Sequence, residues 1–121
     1  MADSSIKSYK DLIVWQKAFK LVKLVYKKSS KLPKEEIFAL QSQIRRSAVS
    51  IVSNIAEGSN RKTRKDYAHF LHIAFGSISE LETQLLLCKE LYAINIDEEL
   101  DLLLEVSKML RAIIKKLEPN N

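Results

Sequence analysis

Two histidines three residues apart, His69 and His72, are the side chains best placed for metal chemistry, with Asp66 and Glu80 near them in sequence. Zinc helices of the H-E-x-x-H kind use a spacing of four, however, and the chain holds no third histidine. Cys88, the single cysteine, falls at helical spacing with Leu81, Leu85 and Tyr92. It reads as a packed thiol, because nucleophilic use would need a histidine placed to activate it. The Glu-x-x-His pairs of di-iron bundles, a glycine-rich phosphate loop and a paired acid and base in a cleft are all missing from the sequence. The expectation is a protein without catalytic residues, bound metal or cofactor, and not an enzyme.

The cations carry more information. Arg61, Lys62, Arg64 and Lys65 place four positive charges in five residues, just ahead of a helix start, where phosphate is favoured. Arg45 and Arg46 lie further back. A second set, including Lys17, Lys20, Lys27 and Lys28, runs along the first helical stretch and serves equally well as a solvated face. Aromatic residues are not interleaved with these cations in sequence, so contact with the phosphate backbone of RNA or DNA is expected rather than base stacking. Charge is also divided along the chain. Residues 1–66 carry 15 Lys/Arg against 6 Asp/Glu, net +9, whereas residues 67–121 are net −4. Such a split suits a polyanionic partner or head-to-tail charge matching between subunits.

These residues must be positioned by helices. Only two glycines and two prolines occur in 121 residues, which argues against a sheet. Lys or Glu interrupts each apolar run before it approaches the roughly 20 residues needed to span a bilayer. No signal peptide is visible, and one cysteine excludes an internal disulfide, so a cytoplasmic protein with no membrane partner is expected. Ser8 with Asp11, and Thr63 with Asp66, have the form of capping boxes; Pro33 with Glu35 and Glu36 marks another start, and Asn95 with Glu98 a fourth. These signals predict helices over about 9–30, 33–57, 64–92 and 96–117, joined by short connections into an all-α, antiparallel up-down-up-down four-helix bundle. Residues 1–7 are expected to be disordered, 8–118 to form one domain, and 119–121 a tail.

Periodicity assigns core faces to Leu12, Trp15, Ala18, Phe19, Val22, Val25 and Tyr26 in the first helix, and to Ile37, Leu40, Ile44, Ala48, Ile51 and Ile55 in the second. The third face is Tyr67, Phe70, Leu71, Ala74, Ile78, Leu81, Leu85, Cys88 and Tyr92; the fourth is Leu103, Val106, Leu110, Ile113, Ile114 and Leu117. Val14, Leu21, Ile13 and Leu24 fall outside the first face, a surplus that a second subunit would cover. On the second helix Gln43, Ser47, Ser50, Asn54 and Glu57 form a polar seam, open either to solvent or to a close helix contact. Gly76 and Ser79 lie on a similar face of the third helix, and a mid-helix glycine suggests a backbone passing close by. Glu57 opposes the negative end of its helix dipole and needs a cation such as Arg46, Arg61 or Lys62. Gly58 is expected to stop the helix in a left-handed conformation.

Tyr9–Trp15 (YKDLIVW), Pro33 with Glu36, Leu40 with Gln43–Arg46, Ser47–Ser50 (SAVS), Asn54–Gly58 (NIAEG), Tyr67 with Phe70 and Leu71, and Gly76–Leu81 (GSISEL) occur in an order that closely resembles the 23S rRNA-intervening-sequence proteins. Members of that family are encoded in insertions within bacterial large-subunit rRNA genes. Its relatives include the accessory variability protein of diversity-generating retroelements. Val52 departs from the pattern, since the family often has proline there. The resemblance implies a four-helix bundle, a homo-oligomer of five subunits in a ring, and no enzymatic activity. The retroelement relatives bind nucleic acid and a reverse transcriptase through a basic surface.

Two functions are therefore expected to compete. One is a nucleic-acid-associated homopentamer that contacts phosphates through Lys17, Lys20, Lys27, Lys28, Arg45, Arg46, Arg61, Lys62, Arg64 and Lys65. The other is a scaffold or adaptor whose basic surface docks an acidic protein.

Overall fold

The computed structural model describes residues 7–119. The segment expected to be disordered and the expected tail fall, apart from Lys7 and Pro119, outside the described residues. Four helices follow one another, α1 (Ile13–Ser29), α2 (Leu40–Ser59), α3 (Arg64–Tyr92) and α4 (Asp97–Leu117). No strand occurs among the described residues. Each helix packs on its two neighbours in cyclic order and not on the one diagonally across. Paired contacts give the directions. Lys17 and Lys28 of α1 meet Glu105 and Glu99 of α4 in reverse order. Ser50 of α2 meets Ser77 of α3, while Gly58 meets Tyr67 and Phe70. Phe75 of α3 lies under Arg111 of α4, and His72 reaches Glu118. The bundle is antiparallel throughout.

The helix starts follow the caps, with three displacements. Ser8 and Asp11 do form a capping box, but it opens a short 3-10 turn, Tyr9–Asp11, rather than the long first helix. Leu12 then adopts extended backbone before α1 begins. Pro33 likewise opens a 3-10 turn, Lys34–Glu36, and α2 starts only at Leu40. Glu36 serves both sides of that junction, accepting the Leu40 N–H at 3.2 Å and the Tyr92 hydroxyl of α3. The hydrogen bond from Tyr92 lowers the Glu36 pKa, and in return that of Tyr92 is raised. Thr63 Oγ1 accepts the Asp66 N–H at 3.1 Å, and Asn95 Oδ1 accepts that of Asp97 at 2.9 Å. Thr63 caps α3 as expected, whereas the cap position of α4 is Ile96, without a side-chain cap, and Asn95 stands one residue ahead of it, so α4 begins at Asp97, one residue later than expected.

Gly58 does not stop α2. The helix continues through it to Ser59, and no described glycine has positive φ. Its role is proximity: a Cβ there would lie 3.0 Å from Phe70 Cβ and 3.1 Å from the Tyr67 carbonyl oxygen. The left-handed stop occurs instead at Ala93 (φ 54°), after α3. Gly76 is the converse correction. It is exposed, and a Cβ there would meet nothing within 4 Å, so no backbone approaches it within the subunit.

One continuous core joins all four helices. Ile44, Ala48, Ile51 and Ile55 are buried as expected, as are Leu71, Ala74, Ile78, Leu81, Leu85, Cys88, Leu103, Val106 and Leu110. In α1 the buried set is Val14, Ala18, Leu21 and Val25, whereas Phe19 and Tyr26 are exposed. The helix is rotated toward Val14 and Leu21 from the face periodicity chose. An apolar arc this broad leaves several rotations open, and the one adopted also brings Lys17 and Lys28 to Glu105 and Glu99 of α4. Ile37 and Tyr92 are also exposed, both at junctions rather than within packed turns.

Candidate nucleic-acid interface

The connection between α2 and α3 is built from its caps. Arg61 N–H returns to the Gly58 carbonyl at 3.0 Å, and Thr63 caps α3, which leaves Arg64 and Lys65 in its first turn. The Arg61 guanidinium turns back. It donates to Glu57 at 2.6 Å and lies 4.5 Å from the Phe70 ring centroid, so it offsets the carboxylate at the α2 terminus as expected. Lys62, Arg64 and Lys65 are exposed and have no ion-pair partner among the described residues. The antiparallel arrangement also directs the last turn of α4, with exposed Lys115 and Lys116, toward this end. These two lysines were not legible as part of a site, because they lie about fifty residues away in sequence.

The other expected cations divide. Lys17 pairs with Glu105 at 2.9 Å. Lys28 Nζ donates to the Asn95 carbonyl at 2.8 Å and lies 3.8 Å from Glu99, a carboxylate only 1 % exposed. Arg45 is spent on the fold: its Nε donates to Ser29 Oγ, its Nη2 to Ser30 Oγ and the Tyr26 carbonyl, and its guanidinium stacks 4.6 Å from the Tyr26 ring. Lys20, Lys27 and Arg46 are exposed without an ion-pair partner among the described residues. From Arg46 α2 runs thirteen more residues to its end at Ser59, so the two basic groups stand about 20 Å apart along the bundle. The fold does place aromatic rings beside cations, Tyr26 at Arg45 and Phe70 at Arg61, which linear spacing did not reveal.

The polar seam is partly a helix contact. Ser50 and Ser77 share a 2.8 Å hydrogen bond between α2 and α3, and Asn54 Nδ2 donates to the Ser50 carbonyl and hydroxyl at 2.8 and 3.1 Å. Ser47 is buried, whereas Gln43 and Glu57 are exposed. On α3 the partner is Ser77, two residues before the expected Ser79, which faces outward with Gly76. Ser77 lies nearer the buried arc that Ile78, Leu81 and Leu85 define.

His69 is exposed against Phe70, and His72 Nε2 lies 3.0 Å from Glu118. Among the described residues no three His, Cys, Asp or Glu side chains converge as metal ligands. Burial holds the Cys88 thiol up at a pKa of about 11, with the Glu36 charge adding to the effect. No helix among the described residues is long and apolar enough to cross a membrane.

A sequence profile described as "23S rRNA-intervening sequence protein" matches residues 10–115. The chain is also similar to a crystal structure of a protein of unknown function from the S23 ribosomal protein family of Bacteroides thetaiotaomicron VPI-5482. The two share 28% identity and superpose with a TM-score of 0.73, over 85% of this chain and 99% of the other. None of the curated proteins compared with the chain matches it.

Proposed function

We propose that this chain, which belongs to the 23S rRNA-intervening sequence protein family, acts without catalysis as a homo-oligomeric bundle, five copies to a ring, that holds RNA or DNA by the phosphate backbone. The observation that carries the reading is the set Lys62, Arg64 and Lys65. These are three exposed cations with no internal ion pair among the described residues, at the N-terminal turn of a 29-residue helix. Asp66, in the same turn, forms no ion pair with them, and an exposed pair would gain little in competition with phosphate. The family description associates its members with rRNA genes, which favours RNA as the polyanion. Lys20, Lys27 and Arg46 supply a second group of phosphate contacts, whereas Lys17, Lys28 and Arg45 act mainly within the fold.

Electrophoretic shift with a structured RNA and a duplex DNA, across a salt series, tests the reading. Neutralising three or four phosphates gives a log–log salt slope of about −3 to −4 on duplex. Reversing Lys62, Arg64 and Lys65 to Glu should weaken binding to all sequences about equally. Absence of binding at low salt, or binding indifferent to salt, would refute it. Capture of an acidic protein by a chain that shifts neither nucleic acid would replace it with a protein-docking scaffold.

A further inference from the structure

We infer that Arg61 is a stacking platform for an unpaired nucleobase, so that the nucleic acid held by Lys62, Arg64 and Lys65 is single-stranded where it crosses this end of the bundle. The inference rests on the reading of those three cations as phosphate contacts and names the kind of strand they select.

Three contacts fix Arg61. Its backbone N–H returns to the Gly58 carbonyl at 3.0 Å, its Nη2 donates to Glu57 Oε2 at 2.6 Å, and its guanidinium carbon lies 4.5 Å from the centre of the Phe70 ring. Phe70 is held in turn. Its Cβ would lie 3.0 Å from a Cβ at Gly58, so the missing side chain of Gly58 is what admits it, and the exposed His69 ring stands at 78° to its own. Spacing along the chain separates Phe70 from the cations, but the turn between α2 and α3 brings it under Arg61.

The plane of the guanidinium decides what it can do. Its N–H donors lie in that plane, so the bond to Glu57 occupies an edge and leaves both faces free. Phe70 takes one face. The side chain is still 42 % exposed, and the outer face is the part left to solvent. Because Glu57 offsets the charge, a phosphate gains little here, whereas a flat, weakly hydrated surface of fixed orientation suits the face of a base. The side chain is also ordered before a ligand arrives, which lowers the cost of binding.

Lys62 is the next residue, and Arg64 and Lys65 begin α3; all three are exposed without an ion-pair partner among the described residues. Cations around a stacking surface are the combination that single strands use, with phosphates on the cations and a base on the plane. A duplex cannot reach the platform, because its bases already stack on one another. Its higher charge density would make it the better ligand for the cations alone, so the two modes predict opposite preferences.

Fluorescence anisotropy at one low salt concentration tests the platform with a short single-stranded RNA, the duplex of the same sequence, and an abasic strand of the same length. The full chain should bind the single strand more tightly than the duplex, and the abasic strand about tenfold more weakly than the intact one. Arg61→Lys keeps the charge and the reach to Glu57 but not the plane, and should lower the ratio of single-strand to duplex affinity about tenfold. A fluorescent purine analogue in the strand should be quenched on binding the wild type and stay bright on R61K. Duplex bound as tightly as single strand, or abasic strand as tightly as intact strand, would overturn the platform and leave the phosphate contacts standing. An unchanged ratio in R61K would overturn the role of Arg61. A wild type that binds none of the three probes would remove the phosphate reading and this inference with it.

Discussion

The two glycines of this chain should respond oppositely to the same substitution, because one is pressed against a neighbouring helix and the other is not. At Gly58 an added Cβ meets Phe70 Cβ and Tyr67 Cδ1 at 3.0 Å and the Tyr67 carbonyl oxygen at 3.1 Å. One of these is backbone and another is the atom nearest it, so the strain cannot be relieved by rotating a side chain. The α2–α3 pair must separate by a few tenths of an ångström where the end of α2 meets the start of α3. Overpacking of this kind costs about 1–3 kcal/mol. The gain in helix propensity offsets at most about 1 kcal/mol, and less in a last turn. Gly58→Ala should therefore destabilise by about 1 kcal/mol, lowering Tm by about 3–6 °C for a chain of this size. Gly76→Ala adds a methyl to open space in the interior of α3 and should stabilise by about 0.5–1 kcal/mol. Both are measured by urea and thermal unfolding at one fixed protein concentration, since assembly shifts apparent stability. If Gly58→Ala stabilises as much as Gly76→Ala, the close approach of α2 and α3 is refuted.

Lys28→Met should cost about 2 kcal/mol in urea unfolding, because it strands the buried Glu99 carboxylate, while Lys17→Met, at an exposed pair, should cost less than about 1 kcal/mol. Ala93→Gly should stabilise by up to about 1 kcal/mol, read as a raised Tm, since Ala93 is the one described non-glycine residue with positive φ. Cys88 should resist thiol reagents at pH 8. Its pKa near 11, against an ordinary 9.0, leaves about a hundredfold less thiolate than in the unfolded chain, a ratio that reaction with a chromogenic disulfide measures. The same upward shift means that its contribution to stability is complete below about pH 9 and lost as pH rises through 11, which urea unfolding between those values would follow.

The helical class, the four helices and the cap at Thr63 were legible in the sequence, because a cap is a local hydrogen bond and a buried face repeats every 3.6 residues. Motif order also carried the family. What spacing could not supply was the rotation of α1, since its apolar residues occupy too wide an arc and packing against the other helices decides that Val14 and Leu21 enter the core. Nor could it separate two uses of glycine. Gly58 has the sequence context of a helix stop, yet its missing side chain admits Tyr67 and Phe70, residues brought there by the turn of the chain.

For the candidate site the division is similar. Composition determined that the first half of the chain is basic, and local sequence determined that Lys62, Arg64 and Lys65 stand at a helix start. Only the tertiary structure decided which cations remain available. Arg45 and Lys28 are drawn into the fold by carbonyls and hydroxyls distant in sequence, while Lys115 and Lys116 arrive from α4 because the bundle is antiparallel. A cation's type is written in the sequence, but its partner depends on which backbone oxygens and carboxylates the packing brings within reach.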